Sequence, residues 1–105
     1  MDFALDISLQ PPTAVLTANG ELDIFTASDV ATSLRDAQDQ GCSHIVIDLA
    51  GVSFVDASAL GVFARTRASL ADGGGTMEFV APSPQFLRLC SIIRLDDAFG
   101  LTGVS

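Results

Sequence analysis

Three aspartates stand near the ends of predicted strands, where an α/β sheet usually carries its functional site. They are Asp23, Asp48 and Asp56. Carboxylates in such positions can form a general acid–base pair or hold magnesium. A simpler interpretation is that Asp23 fixes a loop and Asp56 caps a helix. We favour this structural role for both residues, and we also retain them as members of a surface site.

The remaining reactive side chains do not form a recognisable catalytic or metal motif. Cys42 and His44 would share one face of a strand, but a catalytic pair also needs an orienting group and a pocket. Together with Cys90 they are too few and too irregularly spaced for a structural zinc site. The glycines 73–75 follow a helix and precede a strand, the reverse of the order in a phosphate-binding loop. We therefore expect no catalytic residue, no metal and no cofactor, and we do not expect an enzyme.

Ser58 is the hydroxyl with the most distinctive surroundings. Asp56 is a good N-cap, which places Ser58 about two positions inside a helix that follows a buried strand and a brief loop. Its neighbours Ala57 and Ala59 are small and should leave this helix end uncluttered. Another protein could therefore approach closely and reach the hydroxyl.

Composition and charge exclude several classes of partner. The 105-residue chain has a formal net charge of −8, and its five basic residues are all arginines. We see no basic stripe for nucleic acid, and an acidic surface disfavours anionic lipid. The N-terminus lacks the features of a signal peptide, and no apolar stretch approaches transmembrane length. Two cysteines do not make a disulfide framework, so we expect a cytoplasmic location.

Strands and helices alternate along the chain with short connections. Apolar alternation or β-branched runs predict strands over 3–9, 14–18, 45–49 and 76–80, and a short edge strand over 98–101. Residues 19–23 are predicted to be a loop, and the apolar run 45–49 suggests a strand covered on both faces. This order predicts one α/β domain over residues 1–105, with a mixed, mostly parallel sheet of about four to five strands.

About three to four helices are expected. The first begins at Thr26 or Ser28 and ends before Gly41, the second covers 57–71, and Ser83 caps the third. The predicted inner face of the second helix consists of Leu60, Phe63, Ala64, Ala68 and Ala71. That of the third consists of Phe86, Leu87, Cys90 and Ile93.

Three segments of the sequence together resemble one known family. Gly20-Glu21-Leu22-Asp23, followed by Thr26-Ala27, is the first, and Asp56-Ala57-Ser58-Ala59-Leu60-Gly61 is the second. The strand, turn and helix over 76–93 form the third. In this order they resemble the STAS domain of bacterial anti-sigma factor antagonists, although Ala57 and Ala59 replace a serine and a glycine of the family pattern.

The resemblance implies a regulatory binding protein in which Ser58 matches the phosphorylated serine of the family. Its partners would be an anti-sigma factor that is also a serine protein kinase, and a serine phosphatase. We expect a monomer, with no direct contact to nucleic acid or membrane. The implied partner-binding residues are Gly20, Glu21, Asp23, Thr26, Asp56, Ala57, Ser58, Ala59 and Gly61.

Two other functions remain open from the sequence. A STAS-like subunit of another complex, such as a lipid-transport ATPase, would use the same surface for permanent binding without phosphorylation. A small enzyme would use Asp23, Asp48 or Asp56. Stable co-purification with an ATPase would favour the first, and turnover lost in an Asp→Asn variant would favour the second.

Overall fold

The protein alternates strands and helices after an initial hairpin. The structure is a computed structural model that describes residues 3–95 and 98–100. Its elements in chain order are β1 (Ala4–Gln10), β2 (Thr13–Leu22), α1 (Ala27–Asp39), β3 (His44–Val55), α2 (Ala57–Asp72), β4 (Thr76–Val80) and α3 (Pro84–Ile92).

The four strands form one mixed sheet in the order β1-β2-β3-β4. A short turn joins β1 to β2, which therefore pair antiparallel. The connections through α1 and α2 return the chain to the same edge of the sheet, so β3 and β4 run parallel to their neighbours. The prediction of a mixed, mostly parallel α/β sheet is confirmed.

The helices cover one face of this sheet. Paired residues place Ile7, Leu16, Ile47 and Phe79 in one row across all four strands, and Leu16 and Ile47 are fully buried. On β3 the intervening Val46 is only half-buried. The prediction that β3 is covered on both faces was therefore wrong, because a run of β-branched residues does not distinguish a fully covered strand from a half-covered one.

The inner face of α2 differs from the predicted one. Leu60 and Phe63 are buried as expected, but Ala68 and Ala71 are exposed. Alanine tolerates either environment, so it does not mark a helix face. The buried positions of α2 are Ala59, Leu60, Val62, Phe63, Thr66 and Leu70.

The inner face of α3 is confirmed in part. Phe86 and Cys90 are buried and Leu87 is half-buried. Ile93 follows the last residue of the helix and is 38% exposed, so its predicted place in the core was wrong.

An aromatic cluster joins the sheet to the helices and to the last described segment. The ring of Phe79 lies 5.4 Å from Phe63, 5.2 Å from Phe86 and 4.8 Å from Phe99, measured between ring centroids. Residues 98–100 form a turn and not the predicted edge strand, since Phe99 docks as a single buried side chain. Leu101, which completed that prediction, lies outside the described residues.

Strands β2 and β3 are longer than predicted, and the extra length builds the site. Residues Asn19–Leu22 continue β2, although Asn19, Gly20 and Glu21 suggested a loop. Two register shifts, after Thr17 and after Gly20, let the strand follow β3 to Val55. Gly20 has φ +102°, a conformation that favours glycine.

Among the described residues, no helix combines the length and the apolarity that crossing a membrane requires.

Candidate functional site

The two sequence motifs meet at the carboxyl edge of β2 and β3. Leu22 and Val55 are the last residue pair of these parallel strands. The backbone N–H of Asp56 donates to the Leu22 carbonyl over 3.0 Å. Asp23 and Asp56 therefore begin two loops at the same edge, although they are far apart in the sequence.

Asp56 is the N-cap of α2, as the sequence predicted. Its backbone is extended, with φ −123° and ψ 179°, and its Oδ1 accepts from the N–H of Ser58 at 2.9 Å and of Ala59 at 3.4 Å. These bonds satisfy two of the N–H groups that a helix leaves unpaired at its start. Ser58 is consequently the second residue of α2.

The hydroxyl of Ser58 is accessible. The residue is half-buried, and its Oγ makes no hydrogen bond to any residue that the structure describes. In the same part of the chain, every fully buried side-chain oxygen has a hydrogen-bond partner. The Ser58 Oγ is therefore not fully buried and contacts solvent.

The loop that joins β2 to α1, residues 23–26, lies at the same edge and is held by its own hydrogen bonds. Asp23 Oδ1 accepts from the N–H groups of Phe25 at 2.9 Å and Thr26 at 3.1 Å. In return, Thr26 Oγ1 accepts from the Asp23 N–H at 2.9 Å and donates to the Glu21 carbonyl at 2.9 Å. These bonds fix the loop from both ends, so its conformation is set before any partner arrives.

Thr26 occupies the N-cap position of α1, but its side chain does not cap the helix. The Thr26 hydroxyl instead donates to the carbonyl of Glu21, which precedes it in the chain. The Asp23 carbonyl accepts from the Ala27 N–H at 2.9 Å. Ser28, the alternative cap, lies inside α1. The prediction of a side-chain cap was therefore wrong for both residues.

Ile24 and Phe25 are two adjacent, strongly exposed apolar residues of this edge. Their side chains are 67% and 84% exposed, while the loop that carries them is held by Asp23 and Thr26. Adjacent exposed apolar side chains are typical of a protein interaction site. Neither residue was among the predicted partner-binding residues. The signal was present in the sequence, because these two consecutive apolar residues stand between the loop-forming residues Asp23 and Thr26.

A shallow apolar groove borders the start of α2. Its volume is about 250 Å³, and Ala57 and Ile92 form part of its wall. Ile92 is 68% exposed. The complete lining is Val55, Asp56, Ala57, Gln85, Arg88, Leu89 and Ile92.

The other residues of the predicted partner-binding set differ in exposure. Ala57 is exposed, and Gly20, Glu21 and Gly61 are half-buried. Ala59 is 0% exposed and packs in the core. The prediction that Ala59 contacts a partner was wrong, because the third residue of α2 points toward the sheet.

Within the described part of the chain, the residues of the alternative enzyme and metal sites do not come together. Asp48 lies within β3, and Asp56 follows the end of that strand eight residues later, so roughly 20 Å or more of extended chain separates them at about 3.3 Å per residue. Cys42 is buried and its thiol donates to the Thr13 carbonyl at 3.6 Å, whereas exposed His44 contacts Thr76 Oγ1 at 2.9 Å. Among residues 3–95 and 98–100, no three His, Cys, Asp or Glu side chains lie close enough to hold a metal ion.

Removing the cap of α2 should destabilise the protein measurably. We expect Asp56→Ala to lower the free energy of unfolding by about 1 kcal/mol, because the Ser58 and Ala59 N–H groups lose their acceptor. Urea unfolding followed by circular dichroism measures this change. Asp56→Asn keeps an acceptor oxygen and should lose less, so equal losses in both variants would contradict the capping role.

Comparison with known proteins identifies the sequence pattern and the fold. The pattern that defines the STAS domain matches residues 4–103. The chain is 26% identical over 97 residues to an anti-sigma-B factor antagonist of Staphylococcus aureus, covering 92% of this chain and 90% of that protein.

Two solved structures have the same fold. An anti-sigma factor antagonist from Mycobacterium paratuberculosis superposes with a TM-score of 0.82 at 23% identity, covering 93% of this chain and 83% of that one. The phosphorylated form of the Bacillus cell fate determinant SpoIIAA gives 0.70 at 22% identity, covering 95% and 85%. Because both sequence identities are below 25%, these two structural similarities support only the assignment of the fold.

Proposed function

Because this chain belongs to the STAS domain family, we propose that it is an anti-sigma factor antagonist whose docking is controlled at Ser58. In the unphosphorylated form it binds an anti-sigma factor that is also a serine kinase, and this binding releases a sigma factor. Phosphorylation of Ser58 ends the interaction, and a serine phosphatase restores it. The relative in Staphylococcus aureus, which bears the name of such an antagonist, supports the proposal.

The observation that carries this proposal is the accessible Ser58 hydroxyl at the start of α2. The Asp56 cap fixes the helix start, so the hydroxyl has a defined position at the carboxyl edge of the sheet. Its Oγ has no hydrogen-bond partner among the described residues that a kinase would have to displace. An accessible hydroxyl on a helix start whose backbone is held in place suits both close docking and phosphoryl transfer.

The docking surface combines this hydroxyl with exposed apolar side chains. Ile24 and Phe25 project from a loop that is tied to β2 and α1 by hydrogen bonds. Such a preformed loop loses little conformational entropy when it binds, and its aromatic side chain can fill a pocket on the partner. The net charge of −8 would speed association with a basic partner surface.

This chain supplies only the acceptor in the transfer step. The Ser58 oxygen attacks the γ-phosphorus of ATP, the bond to the β-phosphate bridging oxygen breaks, and ADP leaves. The hydroxyl proton passes to a base of the kinase. In the reverse branch, water hydrolyses the phosphoserine to serine and inorganic phosphate on the phosphatase.

A phosphate at Ser58 would repel the partner without unfolding the protein. It adds about −1.5 to −2 charges at neutral pH, which the start of a helix tolerates because its N–H groups and dipole favour anions. Asp56 is already negative beside it. A partner surface complementary to a neutral hydroxyl would then face a larger, strongly anionic group.

The proposal is tested by incubating the purified protein with candidate anti-sigma factor kinases of the source organism and ATP. We expect intact-mass spectrometry to show a gain of one phosphate with the cognate kinase, and peptide mapping to assign it to Ser58. The Ser58→Ala protein should bind the same kinase and gain no phosphate.

Two outcomes would contradict the proposal. Phosphate on another residue of the parent protein would remove Ser58 as the site of control. Stable co-purification with an ATPase, with no phosphorylated form in cells, would instead support the alternative of a subunit in a permanent complex.

A further inference from the structure

We propose that Arg65 is the intramolecular partner of a phosphate on Ser58, which it holds across the bare backbone of Gly61. This inference rests on the proposed phosphorylation of Ser58 and adds to it a residue that controls the phosphorylated state.

The spacing along α2 places the three residues in one stripe. Ser58 and Arg65 are seven residues apart, or about two turns, so they share a helix face with Gly61 between them. Long side chains on a helix lean toward its N-terminus, which directs Arg65 toward Ser58. Arg67 is nine residues from Ser58 and lies on the opposite face of the same helix.

The position of the Arg65 guanidinium supports this direction. A Cβ atom built on Gly61 would lie 3.3 Å from Arg65 Nη1, so the guanidinium is folded back over Gly61. Positions three apart on a helix have Cβ atoms about 5–6 Å from each other, so Nη1 lies within about 9 Å of the Ser58 Cβ. A phosphate extends from Ser58 into this gap, and a side-chain rotation of Arg65 closes the rest.

The guanidinium is also available for a new ion pair. Among the residues that the structure describes, Arg65 has neither a carboxylate within ion-pair distance nor a side-chain hydrogen bond. It lines the groove between α1 and α2, where Arg35 and Asp39 are the other charged side chains. Asp56 and Asp23 are the negative groups near Ser58. Arg88, in the groove at the start of α2, is another cation on this side of the helix, and it belongs to α3 and not to the stripe of Ser58 and Gly61.

The consequence is a phosphate with a defined orientation. Bidentate hydrogen bonds between a guanidinium and a phosphate are short and geometrically specific. Arg65 would draw the phosphate along α2 and over Gly61, and the same movement would carry its own side chain toward the docking edge. The phosphorylated surface would then differ from the unphosphorylated one over two turns of α2, and not only at Ser58.

The test uses the full chain with phosphoserine incorporated at position 58 during translation, so it requires no kinase. Phosphorus NMR across a pH titration gives the second pKa of the phosphate, which is about 6 for an unperturbed phosphoserine. Because a nearby cation favours the dianion, we expect this pKa to rise by at least about 0.5 in Arg65→Gln relative to the parent. Arg65→Lys keeps the positive charge, so its phosphate pKa should lie between that of the parent and that of Arg65→Gln.

Arg67→Gln is the matched control, since it removes the same charge from the opposite face of the same helix. It should leave the phosphate pKa close to that of the parent, and 1 M salt should reduce the effect of Arg65→Gln. An equal pKa in the parent, Arg65→Gln and Arg67→Gln would overturn the inference. That result would leave the kinase assay of the proposed function unaffected, and a failed kinase assay would leave this titration interpretable.

Discussion

Ser58→Asp should weaken binding to the anti-sigma factor kinase at least tenfold. Two unit charges about 6 Å apart interact by roughly 2–3 kcal/mol at an effective dielectric constant of about 20, and about 1.4 kcal/mol already corresponds to a factor of ten. Solvent screening at an exposed site reduces the larger figure toward the smaller one. Isothermal titration calorimetry with the purified kinase measures the loss.

The fold of this variant should be intact. An aspartate at the second position of α2 lies where the helix dipole favours negative charge, so we expect no decrease in melting temperature. Ser69→Asp adds the same charge to an exposed serine in the last part of α2 and should bind nearly as well as the parent. Unchanged affinity in Ser58→Asp, or an equal loss in Ser69→Asp, would show that the position of the charge does not control docking.

Phe25→Ala should weaken the same interaction about thirtyfold. An aromatic side chain that becomes buried at the centre of an interface contributes about 2 kcal/mol or more when it is tested by truncation to alanine. Phe25 is 84% exposed in the free protein, and the hydrogen bonds of Asp23 and Thr26 hold its loop in place. The loss should therefore appear in the dissociation rate, measured by surface plasmon resonance.

Stability distinguishes a docking role of Phe25 from a structural one. Truncation of so exposed a side chain should change the free energy of unfolding by less than about 0.5 kcal/mol. Val80→Ala is the control, because Val80 is an apolar residue, 41% exposed, at the end of β4. Parental affinity in Phe25→Ala would remove the loop from the docking surface, and a comparable loss in Val80→Ala would indicate a nonspecific effect of apolar exposure.

Local sequence signals were sufficient for the positions that depend on one segment of chain. The alternation in β1, the cap at Asp56 and the Ser83-Pro84 start of α3 are set by interactions within a few residues, and the structure confirms them. The buried face of α1, which includes Val30, Leu34 and Ala37, depends on a local signal of the same kind, because aliphatic side chains at helical spacing mark one face clearly.

Predictions failed where the environment of a residue depends on distant parts of the chain. Ala68 and Ala71 were assigned to the core of α2, but alanine carries little information about which side of a helix is covered. Asn19 and Glu21 were assigned to a loop, yet they belong to β2 because β3 extends beside them and offers backbone hydrogen-bond partners. A polar side chain does not exclude a strand whose backbone is paired.

The sequence by itself determined the order of strands and helices, the capped start of α2 and the presence of Ser58 two residues inside it. Only the tertiary structure decided that the Asp23 and Asp56 loops share one edge, that Ala59 is buried, and that Ile24 and Phe25 project from that edge. The physical reason is that caps and periodicity arise from neighbours in the chain, whereas exposure and proximity arise from the pairing of β2 with β3. That pairing joins segments more than thirty residues apart, and no local pattern specifies it.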